Sequence, residues 1–295
     1  MLFSSLYTLY LFTVSDFIAV LLPQASFALF SMLSNEFVAP ASPLASSAIC
    51  SRMLRVILWI WLQLLVLDIA NQRLPDSVAE DRINKPWRPI ASCRITAEGA
   101  RWLLAGSIVV NFATSYCFGV ASQTLLLFTL NWIYNDLGMA NTNWFTRNLL
   151  NAVGITAIGA GASGVACEGM VFLIDAAARW WLLCAAMLLT TIHAQDLYDQ
   201  EGDAARQRST VPLVYGDPVA RWSVAVAVLF WSVVMPASLG SRLNGHGVNC
   251  IGTVLLGMLV AARILILRGV AEDKRTFGCW AAWTISVYSL PYLAV

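Results

Sequence analysis

The chain has 295 residues, of which 59% are hydrophobic and only 12% are charged, and its formal net charge is +1 at pH 7. Soluble globular proteins carry about 25% charged residues, so this composition excludes an ordinary soluble domain and indicates a polytopic membrane protein. A net charge this close to zero also argues against a nucleic-acid partner.

Apolar stretches recur along the whole chain. A membrane-spanning helix needs roughly 20 mostly apolar residues. The pattern predicts an all-α protein with nine transmembrane helices around a central apolar cavity, and residues 1–295 are expected to form one transmembrane domain. In chain order the nine helices are predicted at Tyr7–Ser31, Leu54–Ile69, Ala97–Val120, Gln123–Ile133, Leu149–Ala166, Val171–Ile192, Val219–Leu239, Gly247–Leu267 and Phe277–Leu293. The Pro-, Ser- and Ala-rich segment Asn35–Ser51 is predicted to be a loop.

Charge is concentrated in two polar segments, each following a long apolar stretch. Of the 35 formal charges, 10 lie between Asn71 and Arg101 and 8 lie between Gln195 and Arg221. Four predicted helices separate the two segments, which places both on the same membrane face. The loops at this face also hold most of the Lys and Arg residues, so the positive-inside rule predicts that the face is cytosolic.

The carboxylates of these segments are spaced as a metal site requires. Asp196, Asp199 and Asp203 stand at i, i+3 and i+7, which places them on one face if the preceding helix continues. Like charges on one face repel each other, and a divalent cation removes that repulsion. Mg²⁺ binds oxygen ligands from a few carboxylates together with substrate phosphates. The first segment offers such oxygens at Asn71, Asp76, Glu80, Asp81 and Asn84.

Cations stand beside both acidic clusters. Two such clusters facing each other could hold metal ions on either side of one diphosphate. The cations expected to contact it are Lys85, Arg88, Arg147, Arg206 and Arg208, because fixed positive charge stabilises a leaving group that gains negative charge. We expect Arg88 and Arg147 in particular to act on the diphosphate and not on protein carboxylates. Solvated loops with surface ion pairs are the alternative. That alternative explains one cluster more readily than two clusters at matched positions.

Three motifs resemble the UbiA superfamily of intramembrane prenyltransferases. The first is Asn84-Lys85-Pro86-Trp87-Arg88-Pro89 with Asp81 before it, and the second is Asp196-xx-Asp199-xxx-Asp203 with Arg206 and Arg208 after it. Between them, Tyr134 and the pair Arg147-Asn148 are similar to an element of the family that contacts diphosphate. Gln72 replaces the family's usual Asp and the first motif is two residues longer. The resemblance therefore leaves open whether Asp76, Ser77 or Glu80 meets the metal.

The resemblance implies roles for these residues. It implies a catalytic role for Asp81, Asp196 and Asp199, and Mg²⁺ as the cofactor. The implied metal ligands are Asn71, Asp76, Glu80, Asp81, Asp196, Asp199 and Asp203, and the implied substrate-binding residues are Asn71, Asn84, Lys85, Arg88, Tyr134, Arg147 and Arg206. The implied partners are a prenyl diphosphate and the membrane lipid, and no obligate protein partner is indicated.

The variant of the first motif looks like a fungal branch that includes membrane terpene cyclases. This similarity implies a class I cyclase, a carbon–oxygen lyase that converts a prenyl diphosphate, expected to be farnesyl diphosphate, into a sesquiterpene. The alternative is transfer of the prenyl group to an aromatic or lipid acceptor. A transporter or lipid-binding protein is a third hypothesis, but charge gathers at one face and not at the midplane where transporter sites lie. The expected location is the endoplasmic reticulum membrane, with the active site facing the cytosol.

Some polar and aromatic residues fall inside the predicted helices. Charge within a span is costly, so Asp16 is a candidate base or polar anchor, with a hydrogen bond to a neighbouring helix as the alternative. His193 is expected either to line the site or to have a structural role. Tryptophans can form interfacial belts or line a cavity that stabilises a carbocation. The candidates for the cavity are Trp59, Trp61, Trp132, Trp180 and Trp181.

Overall fold

The computed structural model describes residues 2–39, 44–239 and 247–292. These residues are helical apart from their connections, and a single antiparallel bridge joins Val38 to Phe172. The α-helices are α1 Leu2–Thr13, α2 Leu22–Leu33, α3 Ser46–Gln72, α4 Pro75–Asn84, α5 Ala97–Cys117, α6 Ala121–Asn135, α7 Trp144–Ala166, α8 Ile174–Thr191, α9 Asp196–Ala205, α10 Val211–Tyr215, α11 Asp217–Ser238, α12 Gly247–Ile266 and α13 Val270–Ser289. A π-helical turn spans Phe17–Leu21, and short 3₁₀ helices span Met139–Asn141 and Ile192–Gln195.

The all-helical prediction is confirmed for the described residues, whereas the number of membrane spans is not. Five helices there are long and apolar enough to cross a membrane, or six if the bent pair at the start of the chain counts as one span. Each predicted apolar stretch has a helical counterpart. However, α6 has only 15 residues, and α5 and α13 begin with charged turns. Nine spans therefore remain a prediction.

The first predicted span is broken. The chain leaves α1 at Thr13 and re-enters helical conformation at Phe17, and the two halves meet at 60°. The polar residues Ser15 and Asp16 occupy the break. Irregular backbone at membrane depth is tolerated where it is buried in protein or lines a cavity, and this break does line one.

The loop predicted at Asn35–Ser51 is shorter than expected. Helix α3 already begins at Ser46, and residues 40–43 lie outside the described ranges. Before that gap, the chain pairs with the connection between α7 and α8. The Ala39 amide donates to the Val171 carbonyl at 2.9 Å, and the Leu173 amide donates to the Phe37 carbonyl at 2.7 Å. These bonds satisfy backbone groups that would otherwise be buried unpaired.

Helices α5 and α6 are joined to α3 by a buried polar network. The Gln63 amide group donates to Asn111 Oδ1 and to Thr124 Oγ1, both at 2.9 Å. The Ser115 hydroxyl receives the Trp59 indole N–H at 2.9 Å and the Thr124 hydroxyl at 2.7 Å. In a membrane the alternative for such groups is hydrocarbon, so the network fixes how the less apolar helices pack.

Candidate active site

The two predicted motifs lie on short helices that pack against each other. Helix α4 begins with Pro75, whose fixed φ suits the first helical turn. Helix α9 carries Asp196 and Asp199 in its first turn, where negative charge favours the helix dipole. The Asn84 amide donates to the Asp199 backbone carbonyl at 3.2 Å. The two motifs are therefore in direct contact, as a shared site requires.

A glycine makes this approach possible. A Cβ atom at Gly202 would lie 2.1 Å from Asn84 Nδ2, so any larger residue would push the Asn84 side chain away. The contact places the Lys85 ammonium 3.1 Å from Asp199 Oδ2. Glycine at this position thus sets the distance between the two motifs.

The motifs form the polar end of a cavity of about 510 Å³. Charged and amide side chains line one part of it, and aliphatic side chains from α3, α6 and α7 line another. The polar lining includes Asn71, Glu80, Asn84, Lys85, Arg88, Arg147, Asp199 and Arg208. The apolar lining includes Leu64, Leu67, Leu127, Leu130, Leu150, Ile155, Ile158 and Phe277. This is a shape for a ligand with a charged head and a hydrocarbon tail.

The arginines around the cavity are paired with protein carboxylates in this structure, contrary to the expectation that they would not be, whereas their contact with a diphosphate stays a prediction. The Arg88 guanidinium donates to Asp81 Oδ1 at 2.8 Å, and Arg147 donates to Asp196 Oδ1 at 2.8 Å and to the Tyr134 hydroxyl at 2.7 Å. A buried guanidinium without a counter-charge is costly, so these pairs form within the protein. Among the described residues, no hydrogen-bond partner reaches the buried Nε atoms of Arg88 and Arg147.

Glu80 holds two further arginines. Its oxygens accept from Arg206 Nη1 and Arg208 Nη1, each at 3.0 Å, and Arg208 Nη1 also donates to Asp203 Oδ1 at 3.0 Å. Burial raises the pKa of Glu80, but the Arg208 and Arg206 guanidinium groups outweigh this effect and hold its pKa below the usual value. Burial likewise raises the pKa of Asp81, and the Arg88 guanidinium offsets only part of that rise. The opposite charges of this cluster thus stabilise one another.

The structure separates the predicted site residues into two groups. Those that line the cavity are Asn71, Glu80, Asn84, Lys85, Arg88, Tyr134, Arg147 and Asp199. Those outside the lining are Asp76, Asp81, Asp196, Asp203 and Arg206. Asp76 is exposed to solvent on α4, whereas the other four are partly or fully buried behind the lining. Asp81 and Asp196 therefore contact the cavity through Arg88 and Arg147.

The polar end has the donor chemistry that Mg²⁺ prefers. Among the described ranges there is no group of three or more His, Cys, Asp or Glu residues placed to hold a metal. Mg²⁺ does not need such a group, because one or two carboxylates plus substrate phosphates suffice. The carboxylates of Glu80 and Asp199 and the amide oxygens of Asn71 and Asn84 all line the same end. These residues fit the ion together with a diphosphate.

Several polar residues of the cavity were not anticipated. Asp68 lines the wall beside Asn71, and Asn131, Asn135 and Asn151 line it from α6 and α7. Asn71 Nδ2 donates to Asn135 Oδ1 at 2.9 Å, and Asn135 Nδ2 donates to Asn131 Oδ1 at 2.6 Å. Asp68 carried a usable signal, since it is a charge inside a predicted span. No such signal marked the asparagines apart from their helical spacing.

The tryptophans expected in the cavity lie elsewhere. Trp59 packs on Gly161, where a Cβ atom would lie 2.3 Å from the ring, and Trp61 donates to Thr13 Oγ1 at 3.2 Å. Trp132, Trp180 and Trp181 are also absent from the lining. The aromatic lining consists of Trp87, Tyr134, Tyr198 and Phe277. Of the five candidates, Trp59 and Trp180 are buried in the helix packing, and Trp132 is exposed.

His193 does not line the cavity either. Its Nε2 lies 2.8 Å from the Ser223 hydroxyl on α11, and its side chain is buried. The structural alternative is therefore the one that the geometry favours.

Comparison with protein families gives a match over most of the chain. The model of the UbiA prenyltransferase family matches residues 28–286. Fumagillin beta-trans-bergamotene synthase af520 of Aspergillus fumigatus is 33% identical over 237 residues, which is 78% of this chain and 74% of that protein. Polyprenyl transferase eriF of Hericium erinaceus is 30% identical over 276 residues, covering 90% of this chain and 87% of that protein.

The fold also matches a solved structure. A UbiA homolog from Archaeoglobus fulgidus, determined bound to DMAPP and Mg²⁺, superposes with a TM-score of 0.65 and covers 98% of this chain and 99% of that chain. The sequences are 16% identical, so the likeness concerns the fold.

Proposed function

Since this chain belongs to the UbiA prenyltransferase family of integral membrane proteins, we propose that it is a Mg²⁺-dependent terpene cyclase. It ionises a prenyl diphosphate, which we infer to be farnesyl diphosphate, and closes the resulting cation into a sesquiterpene. The enzyme is then a lyase that releases diphosphate. We further propose that residues 1–295 form one domain, in the endoplasmic reticulum membrane with the polar end of the cavity facing the cytosol.

One observation carries the proposal: the cavity joins a cationic end directly to an aliphatic wall. The cationic end is lined by Lys85, Arg88, Arg147 and Arg208, which suit the diphosphate. The aliphatic wall is lined by leucines and isoleucines of α3, α6 and α7, which suit the prenyl chain. A carbocation formed there is held away from bulk water, which allows ring closure before capture.

The residues at the polar end have separable tasks. Arg88 and Arg147 bind and orient the diphosphate, and Asp81 and Asp196 hold those guanidinium groups in place through ion pairs at 2.8 Å. Asn71, Glu80, Asn84 and Asp199 would hold Mg²⁺, which when bound supplies charge that stabilises the departing diphosphate. Tyr134 fixes Arg147 from the opposite side by its hydroxyl group. Tyr198 and Phe277 present aromatic faces to the cation.

Transfer to an acceptor is the second candidate function, and a specific feature favours it. Asn131, Asn135 and Asn151 line the cavity with hydrogen-bonding amides, which an aromatic or polar acceptor requires and a hydrocarbon cation does not. A polyprenyl transferase also stands among the relatives. The bergamotene synthase, with the higher identity of the two, favours the cyclase.

Product analysis without an acceptor tests the proposal. Purified protein is incubated with farnesyl diphosphate and Mg²⁺ as sole additions, and products are identified by gas chromatography and mass spectrometry. We expect cyclic hydrocarbons or terpene alcohols, loss of the products with EDTA, and their return with added Mg²⁺. Consumption of substrate that begins only when an aromatic or lipid acceptor is supplied would establish the transferase instead.

A further inference from the structure

Two carboxyl groups in the cavity wall, the half-buried Asp16 and the buried Asp68, have no task in the steps described so far. Asp16 comes from the break between α1 and the π-helical turn, and Asp68 comes from α3. The two side chains lie close enough to interact electrostatically. Like charges at close range repel each other, and a positive charge beside them relieves that repulsion.

Packing does not account for these groups. Asp16 stands at the N-cap of the π-helical turn, yet its side chain makes no capping hydrogen bond. Asp68 is 6% exposed, and no donor among the described residues reaches its buried Oδ2. An unsatisfied buried acceptor costs about 1–3 kcal/mol, and an ionisable group at membrane depth adds to that cost. The arrangement is therefore expected to serve a ligand.

The pair lies where the polar end gives way to the hydrocarbon wall. On α3, the residues Leu64, Leu67, Asp68 and Asn71 all line the cavity, and their spacing is that of one helix face. Asp68 is thus about one turn from Asn71, on the side of the leucines. Next to Asp16, the Ser15 hydroxyl accepts from Arg88 Nη2 at 3.3 Å. The two carboxyl groups therefore lie between the arginine at the polar end and the leucines of the wall.

We propose that the Asp68 carboxylate is the base that ends the cyclisation, with Asp16 beside it in the cavity wall; this rests on the proposed cyclase function. A C–H bond next to the cationic carbon breaks, and its electron pair becomes the new C=C bond. The proton moves to the Asp68 carboxylate, so the cation becomes a neutral olefin and the carboxylate becomes a carboxylic acid. The carboxylate is restored when the proton passes to the departing diphosphate or to water. A negative charge at this position also attracts the cation before deprotonation.

A purely electrostatic role of Asp16 and Asp68 predicts a different result. The carboxyl pair is close enough to Arg88 to act as its counter-charge. If that were its whole contribution, removing the charge would disturb diphosphate binding and ionisation, and all products would fall together. A terminating base, in contrast, acts after ionisation. Its removal changes which products form while diphosphate is still released.

The experiment compares wild type with Asp68→Asn, which keeps the shape and removes the base. Release of diphosphate and the product mixture are measured on the same purified samples, with farnesyl diphosphate and Mg²⁺. We expect diphosphate release to stay within about threefold of wild type. The share of the main wild-type olefin should fall at least about tenfold, with isomeric olefins and water-captured alcohols in its place. Asp175→Asn, at an exposed carboxylate in the first turn of α8, is the matched control.

Asp16→Asn provides a second test that does not depend on whether the Asp68→Asn variant folds. It leaves one carboxylate in the wall, so the same products should shift in the same direction by a smaller factor. An unchanged product mixture in both variants, or a raised KM with an unchanged mixture, would overturn the proposal. Wild type that forms no cyclic product without an acceptor would contradict the cyclase function itself, and this outcome is read from the wild-type sample alone.

Discussion

Asp199 of the second motif lines the cavity, and its carboxylate contacts Lys85 of the first motif. Its Oδ2 lies 3.1 Å from Lys85 Nζ. Asp199→Asn removes the charge at nearly constant shape, so we expect turnover of farnesyl diphosphate to fall roughly 100-fold, the usual size for loss of one electrostatic contact in a transition state. Initial rates at saturating Mg²⁺ measure this effect.

Asp76→Asn is the control for that prediction. Asp76 is exposed and outside the cavity lining, so its variant should turn over substrate within about twofold of wild type, as surface substitutions usually do. Equal losses in the two variants would mean that Asp76 reaches the metal, as the motif spacing alone suggested.

Glu80 gives a pH-dependent prediction for stability. Its pKa is held below the ordinary value of 4.5 by Arg208 and Arg206 despite burial. A depressed pKa contributes stability that is present above the unfolded value and is lost as the pH falls through the folded value. Glu80→Gln breaks a buried pair, which costs about 3 kcal/mol or more, so its Tm should lie roughly 5 °C or more below wild type at about pH 7.

Thermal unfolding in detergent checks the sign of this effect. The Tm difference between wild type and Glu80→Gln should shrink below about pH 4.5, as wild type loses the same charge. Glu98→Gln, at an exposed position on α5, should show little difference at either pH. A Tm difference that stays constant from neutral to acid pH would contradict the assignment.

At the scale of single residues, the sequence predicted several of the residues that line the cavity but not the ion pairs that they form. Lys85, Arg88 and Arg147 line the cavity as expected, since family-like motifs name them directly. Their carboxylate partners were not predictable, because Arg147 and Asp196 lie 49 positions apart and meet only through helix packing. Sequence periodicity also cannot show which side of a helix faces inward when almost every side is apolar. For that reason the tryptophans were misplaced.

Among the elements, the contact between α4 and α9 determines whether the two motifs act together. A Cβ atom at Gly202 would approach Asn84 Nδ2 to 2.1 Å. Gly202→Ala therefore displaces the Asn84 side chain from the Asp199 carbonyl and separates Lys85 from Asp199. We expect turnover to fall at least about tenfold while the helix content stays the same, because alanine favours a helix interior over glycine. Activity assays and circular dichroism measure the two effects.

A double variant shows whether the contact is the cause. With Asn84→Ala already present, the space is free, so adding Gly202→Ala should cost almost nothing further. Gly106→Ala on α5, where no atom lies within 4 Å of the added Cβ, is the matched control. Full additivity of the Asn84 and Gly202 effects would show that they act independently.

The elements themselves were largely predictable where apolar runs were long and uninterrupted. Helices α3, α7, α8, α11 and α12 fall within or around the predicted spans. The break at Ser15 and Asp16 was missed because two polar residues in an apolar run do not reveal whether the backbone bends. Helix α4 was not predicted, and α9 was expected only as a continuation of the preceding helix, since ten residues are too few for a hydrophobic period to show. Tertiary packing, not local preference, makes them helical.

On the scale of the whole molecule, the cavity links the family, the fold and the proposed reaction. Helices α3 and α7 carry residues of the polar end and continue into the apolar wall, so the cavity offers both environments to one ligand. Along α7, Arg147 lies at the polar end and Ile158 lies in the wall, about 16 Å away for a helix rise of 1.5 Å per residue. Under the proposed function, we expect the length of the prenyl chain to depend on what fills the space along this helix.

Gly154 tests this relation between depth and substrate length. It lines the cavity about 10 Å along α7 from Arg147, and no atom lies within 4 Å of a Cβ placed there. Gly154→Leu therefore fills the cavity without straining the helix. We expect preference to move from farnesyl to geranyl diphosphate, because the last isoprene unit loses its apolar burial at about 0.8 kcal/mol per carbon. The ratio of kcat/KM for the two substrates should change at least about tenfold, and Gly106→Leu, on α5 outside the lining, should leave it unchanged. An unaltered ratio in Gly154→Leu would mean that the chain does not run along α7, and the orientation of the substrate proposed above would be wrong.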